Sequence, residues 1–155
     1  MKRSLLPIFL LAGLLVLMTA PTVQAGVVRV AEVNYVNILD AYYADLDSDG
    51  YEDDIKLLIE FSFPTVEPVR IDLNIWIELP SGLTFNFRVS VWRAPNDSIL
   101  SIVCIDMAIE SGWYTVYLVT SVMGAGGGKY YITDTLIFDP PTEGGNGLPS
   151  VSAYF

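Results

Sequence analysis

Histidine is absent from the 155-residue chain, and cysteine occurs once, at Cys104. Without an imidazole there is no Ser-His-Asp triad and no His-ligated zinc or haem, and a single thiol closes no disulfide within the chain. Bases are scarce too: 8 Lys and Arg stand against 18 Asp and Glu. Lys2 and Arg3 fall in the first 25 residues, which hold no acid, so the remainder carries 6 bases against 18 acids, a formal net of −12. Such a chain repels phosphate backbones, which excludes nucleic acid as a partner. What the sequence does have is apolar material, 52% hydrophobic and 12% aromatic with 17% charged, enough for a packed core and too much for disorder.

The first 25 residues read as a signal peptide: a basic Lys2-Arg3, an apolar run from Leu5 to Ala20, and Val23-Gln24-Ala25 with small residues where signal peptidase inspects. As a membrane anchor that run would reach only about 24 Å, short of the ~30 Å hydrocarbon core. The expected organisation is therefore a signal peptide at 1–25, one β-sandwich domain at 26–141 and a Gly/Pro-rich tail at 142–155. The expected localisation is secreted, extracellular or at the cell surface. Cys104 lies in an apolar stretch, 98–109, and reads as a small buried hydrophobe.

Period-two alternation dominates residues 26–141. Ile55, Leu57, Ile59, Phe61 and Phe63 alternate with Lys56, Glu60 and Ser62, and two cleaner runs follow at 69–79 and 83–92. These two predict a hairpin. A three-residue loop of Ser81, Gly82 and Leu83 keeps inward residues opposite inward ones, placing Ile75 opposite Val89, Ile77 opposite Phe87 and Trp76 opposite Arg88. Further strands are expected at 27–31, 33–44, 98–109, 113–122 and 130–138, separated by Pro, Gly and Asx clusters. With no helical period of useful length, the pattern predicts an all-β fold, an antiparallel β-sandwich of about seven or eight strands. The Gly-rich segment 124–129 is a hairpin loop rather than a phosphate loop: Met123 and Tyr130 replace the required Gly and Ser/Thr, and both flanks are strands. The closing segment 151–155 alternates weakly, follows a flexible spacer and is expected to add a strand to a neighbour's open edge; a homo-oligomer is among the expected assemblies.

The sharpest local signal is Asp45-Leu46-Asp47-Ser48-Asp49-Gly50-Tyr51-Glu52-Asp53. Carboxylates at every second position before a bend-permitting glycine can converge on one hard cation, and Ca²⁺ tolerates such a cage better than Mg²⁺ does. The alternative is an acidic turn that needs no ion, since Asp and Gly favour turns anyway. The segment resembles the DxDxDG loops of EF-hands, dockerins, thrombospondin type 3 repeats and FG-GAP blades. That resemblance implies calcium ligands at Asp45, Asp47, Asp49, Tyr51 through its carbonyl, and Asp53. Lys56 occupies the place of the EF-hand's twelfth-position Glu, and the flanks read as strands, so the hairpin-borne form of the loop fits better. A looser resemblance over 110–141, carried by Ser111-Gly112-Trp113-Tyr114-Thr115-Val116 and Phe138-Asp139-Pro140-Pro141, is to the last two strands of immunoglobulin-like or macroglobulin-like modules on exported proteins.

On the outward face of the hairpin, Trp76, Arg88 and Trp92 are the candidate ligand-binding residues, with Trp76 over Arg88 as the expected cation–π pair. Asn96-Asp97-Ser98 makes Asn96 a glycosylation sequon in a predicted turn. No carboxylate spacing singles out a hydrolase pair. The sequence therefore predicts a non-enzymatic, calcium-stabilised structural or adhesive protein with a protein or glycan partner at the cell surface. A carbohydrate-binding module with Trp76 and Trp92 as its platform is the alternative.

Overall fold

In the computed structural model, residues 34–125, 127–139 and 147–155 are described. The expected signal peptide and the strand at 27–31 lie outside them. Eight strands follow in chain order: β1 (Tyr35–Ala44), β2 (Asp54–Ser62), β3 (Pro68–Glu78), β4 (Thr84–Trp92), β5 (Ser98–Ile105), β6 (Tyr114–Gly124), β7 (Lys129–Phe138) and β8 (Ser150–Tyr154). They form two four-stranded sheets, ordered β1-β2-β5-β8 and β4-β3-β6-β7, and every pairing is antiparallel. The protein is an all-β sandwich. Its first seven strands follow the immunoglobulin-like order, A-B-E in one sheet and C′-C-F-G in the other, and β8 lies where a D strand pairs with E.

Alternation places the core. Ile55, Leu57, Ile59 and Phe61 of β2 are buried in one sheet, and Ile71, Leu73, Ile75 and Ile77 of β3 in the other. Both strands are central in their sheets, so their inward residues lose all contact with water. Each such side chain contributes about 1.5–3 kcal/mol of burial. The edge strand β4 is less well covered, and its inward Phe85, Phe87 and Val89 are only partly buried. At the other side β1 carries a bulge between Ile38 and Asp40. The Ile38 N–H there turns across to donate to Asp134 Oδ2 of β7 at 2.7 Å, joining the two sheets.

The β3–β4 register differs from expectation by two residues. Ile75 pairs with Phe87, Ile77 with Phe85 and Trp76 with Asn86. The loop is Pro80, Ser81 and Gly82: the Gly82 N–H donates to Leu79 O and the Leu79 N–H to Leu83 O, each at 2.8 Å. Pro80 suits the second position of a type I turn, and Gly82, with φ of 85°, takes the left-handed position that closes it. The expected loop would have put Leu83 in that place. A two-residue slip preserves the faces, so the buried set is unchanged.

The β5–β6 corner is tied by one side chain. Tyr114, the first residue of β6, is fully buried; its hydroxyl accepts the Glu110 N–H at 2.9 Å and donates to the Glu110 carbonyl at 3.0 Å. A tyrosine at the start of strand F bonded to backbone a few residues upstream is the tyrosine corner of immunoglobulin-like sandwiches. The segment 151–155, expected on a neighbour's edge, has its strand residues on β5 of its own chain, with Val151 opposite Cys104 and Tyr154 opposite Ser101.

Candidate metal centre

The connection between β1 and β2 winds back on its own carboxylates. Asp45 Oδ2 accepts the Gly50 N–H at 3.2 Å, Asp47 Oδ1 accepts the Asp49 N–H at 3.1 Å, and Asp49 Oδ1 accepts the Tyr51 N–H at 2.8 Å. The last two are Asx turns, in which a short Asp side chain holds the amide two residues on, and the first closes the loop across five residues. Gly50 supplies a φ of 96° and Ser48 one of 67°. The outcome is that Asp45, Asp47 and Asp49 each bring a carboxylate oxygen within 4.8 Å of the others.

Two residues outside the expected ligand set complete the arrangement. Asp54, fully buried at the start of β2, accepts the N–H groups of Leu46 at 2.6 Å and Asp47 at 3.1 Å on Oδ2, and that of Asp106 at 2.9 Å on Oδ1. It fastens the acidic loop to the exit of β5. Asp106 ends that strand with a φ of 55°, and the backbone leaves the sheet so that the Ala108 N–H donates to Asp53 O at 2.7 Å. This is why β5 stops at Ile105 rather than continuing to residue 109. Asp106 is 5% exposed, and its Oδ1 has no hydrogen-bond partner among the described residues.

Asp106 belongs to two further carboxylate groups with oxygens within 4.8 Å of one another, one with Asp47 and Asp54 and one with Asp49 and Asp53. Two oxygens bound to one Ca²⁺ at 2.3–2.6 Å lie no more than about 5 Å apart, so each group meets the spacing a single ion requires. The donors are all hard carboxylates, the set suited to calcium. Burial, together with the charges of Asp53, Asp47, Asp54 and Asp49, pushes the Asp106 carboxyl above the usual carboxylate range. Asp47 is also raised, by desolvation and by the Asp49, Asp54 and Asp45 charges, against the opposing bond from the Asp49 amide. Both shifts come first from desolvation, with the neighbouring carboxylates adding to it, and a cation would offset both.

Of the expected ligands, Asp45, Asp47 and Asp49 form one group, and Asp53 falls in the group with Asp49 and Asp106. Tyr51 has an exposed ring and is held through its own N–H by Asp49. Asp54 and Asp106 were not legible as site residues. For Asp106 the available signal was an acid inside an apolar run, Ile105-Asp106-Met107-Ala108.

The outward tryptophans are not brought together. Trp76 sits opposite Asn86, and Trp92 lies six residues further along β4, about 20 Å away at the rise of a strand. Arg88 donates to Asn74 Oδ1 at 2.8 Å rather than lying over Trp76, and it is Arg70 whose guanidinium stacks on Trp92, 4.9 Å from the ring centre. Asn96 is exposed; its Oδ1 accepts the Phe63 N–H at 2.6 Å and its amide donates to Asp97 at 3.2 Å.

Cys104 is fully buried and its thiol is pushed up to about 12 by burial, with the Asp54 charge adding to the effect. The thiolate is the reactive form, so an aromatic disulfide reagent at pH 8 is expected to leave the folded protein unlabelled and to label one thiol per chain once urea unfolds it. Labelling at the free-thiol rate without denaturant would show that β5 opens readily.

Comparison of the chain with protein-family models, with curated proteins and with solved structures found no match.

Proposed function

We propose that this chain is an exported, non-enzymatic β-sandwich stabilised by calcium at the β1–β2 loop, serving as a structural or adhesive component at the cell surface with a protein or glycan partner. The observation that carries the reading is the convergence of Asp45, Asp47 and Asp49 on one small volume by backbone turns of their own loop. Export rests on the leader, and the absence of histidine with a buried, unreactive thiol argues against the commonest catalytic kits. A domain with no cross-link that leaves the cell gains from an ion that closes a loop on the native state alone.

The test is a thermal melt of the purified protein in calcium and in chelator. With the ion at 100 times its Kd, the folded state should gain about 2.7 kcal/mol, roughly 10 °C in Tm. Asp47→Ala combined with Asp49→Ala should abolish the difference. Superimposable melts of the native protein would refute the calcium reading.

A further inference from the structure

We propose that Asp106 completes this calcium site from outside the loop, supplying the carboxylate that position twelve lacks, and that the ion thereby holds the C-terminal strand β8 in place. The proposal rests on the calcium reading above and extends it. An EF-hand-like loop draws its last, strongest ligand from position twelve, and that residue is Lys56, a cation that offers no ligand atom and whose ammonium lies 5.9 Å from the centre of the Tyr154 ring. A loop lacking that ligand is left with an open coordination face. Asp106 lies 50 residues further along the chain than Lys56, yet its carboxylate oxygen is within 4.8 Å of those of Asp49 and Asp53. Its Oδ1 is buried with no hydrogen-bond partner among the described residues.

A buried carboxylate without a donor is costly, and the residues around Asp106 offer mostly further negative charge. Its neighbour Asp54 is in the opposite position, with three backbone N–H groups spread over both oxygens. Asp54 therefore needs no ion and acts as a positioning residue, whereas Asp106 keeps a buried oxygen with no donor among the described residues, on a carboxylate that lies beside those of Asp49 and Asp53. The hydrogen bond from the Asp106 N–H to Asp54 fixes the turn that directs it there.

The link to β8 comes from Gly147. The backbone there passes so close to the Asp106 carboxyl group that even a methyl side chain would collide with it. Three residues later β8 begins, with Ser150 opposite Ile105, the residue before Asp106. No residue of β8 is buried, and the tail's other side-chain contacts are Tyr154 under the Lys56 ammonium and Phe155 against Phe61, so seating on Asp106 adds to a lightly held edge strand. An ion on Asp106 fixes the carboxylate against which the tail is seated and joins three separated segments, the loop 45–53, the exit of β5 and the approach to β8.

Calorimetric titration of the protein and its Asp106→Asn variant with CaCl₂, with hydrogen exchange of residues 150–154 followed in calcium and in chelator, tests this. Asp106→Asn should weaken calcium binding by roughly tenfold or more. Protection of β8 should rise with calcium in the native protein and not in the variant. Unchanged affinity in the variant overturns the proposal while leaving the loop site standing, and β8 protection indifferent to calcium overturns the coupling to the tail. No binding by the native protein removes the underlying calcium reading as well. Should the variant fail to fold, a crystal of the native protein grown in calcium decides: an ion about 2.3–2.6 Å from Asp106 supports the assignment, and one bound by the loop without it overturns it.

Discussion

Asp54→Ala should destabilise the protein by about 3–5 kcal/mol even in chelator, where no ion contributes. Three backbone N–H groups, of Leu46, Asp47 and Asp106, lose their acceptor at once. Hydrogen bonds to a charged group contribute about 1.5–3 kcal/mol each. The gross loss exceeds the net one, because removing Asp54 also relieves repulsion from the Asp47 and Asp106 carboxylates that crowd it. Asp54→Asn should cost less, since an amide oxygen can still accept on one side while its NH₂ group opposes an N–H on the other. Urea denaturation in chelator measures both, with the midpoint falling and the slope unchanged. If Asp54→Ala were neutral in chelator and harmful only in calcium, Asp54 would be an ion ligand and not the fastener of the loop.

The division between what was readable and what was not follows the range of each interaction. Strand positions were legible because a sandwich buries one face of each strand, and parity along Ile55 to Phe63 or 69–79 reports that burial residue by residue. Hairpin register was legible only to its parity. Slips by two residues keep every face, so hydrophobic pattern could not separate Ile75 opposite Val89 from Ile75 opposite Phe87; the turn chemistry of Pro80 and Gly82 decided it. In the metal centre, the residues held by their own loop were found because their contacts span two to five positions. Asp54 and Asp106 meet across 52 positions, a contact that no local spacing encodes. Strand β8 was recognised as a strand former, but its partner β5 lies some 50 residues upstream, and five alternating residues carry no information about whose edge they join.

Tyr114 sets the second large effect, because it holds the corner on which the two sheets turn over. Its ring, fully buried, packs on Phe138 with centroids 5.7 Å apart, and its hydroxyl satisfies both the N–H and the carbonyl of Glu110. The Glu110 carboxylate in turn accepts the Ser81 N–H at 2.9 Å and the Ser81 hydroxyl at 2.7 Å, so the corner is anchored to the β3–β4 turn. Tyr114→Ala should cost about 3–5 kcal/mol, the range for emptying an aromatic site. Tyr114→Phe keeps the ring and leaves the Glu110 groups unpaired, which should account for about 1–3 kcal/mol of that. The two variants separate packing from hydrogen bonding in denaturant titrations. The hydroxyl also makes the corner sensitive to alkali. Burial raises the Tyr114 phenol above its ordinary value, the Glu110 charge adding to the shift, so the folded state favours the protonated form more than the unfolded state does. That contribution is complete below the unfolded value of about 10 and is lost as pH rises through the folded one. Tyr114→Phe should therefore lose less stability than the native protein between neutral pH and strong alkali. An identical alkaline decline in the two would mean that the phenol is not gripped in the folded state.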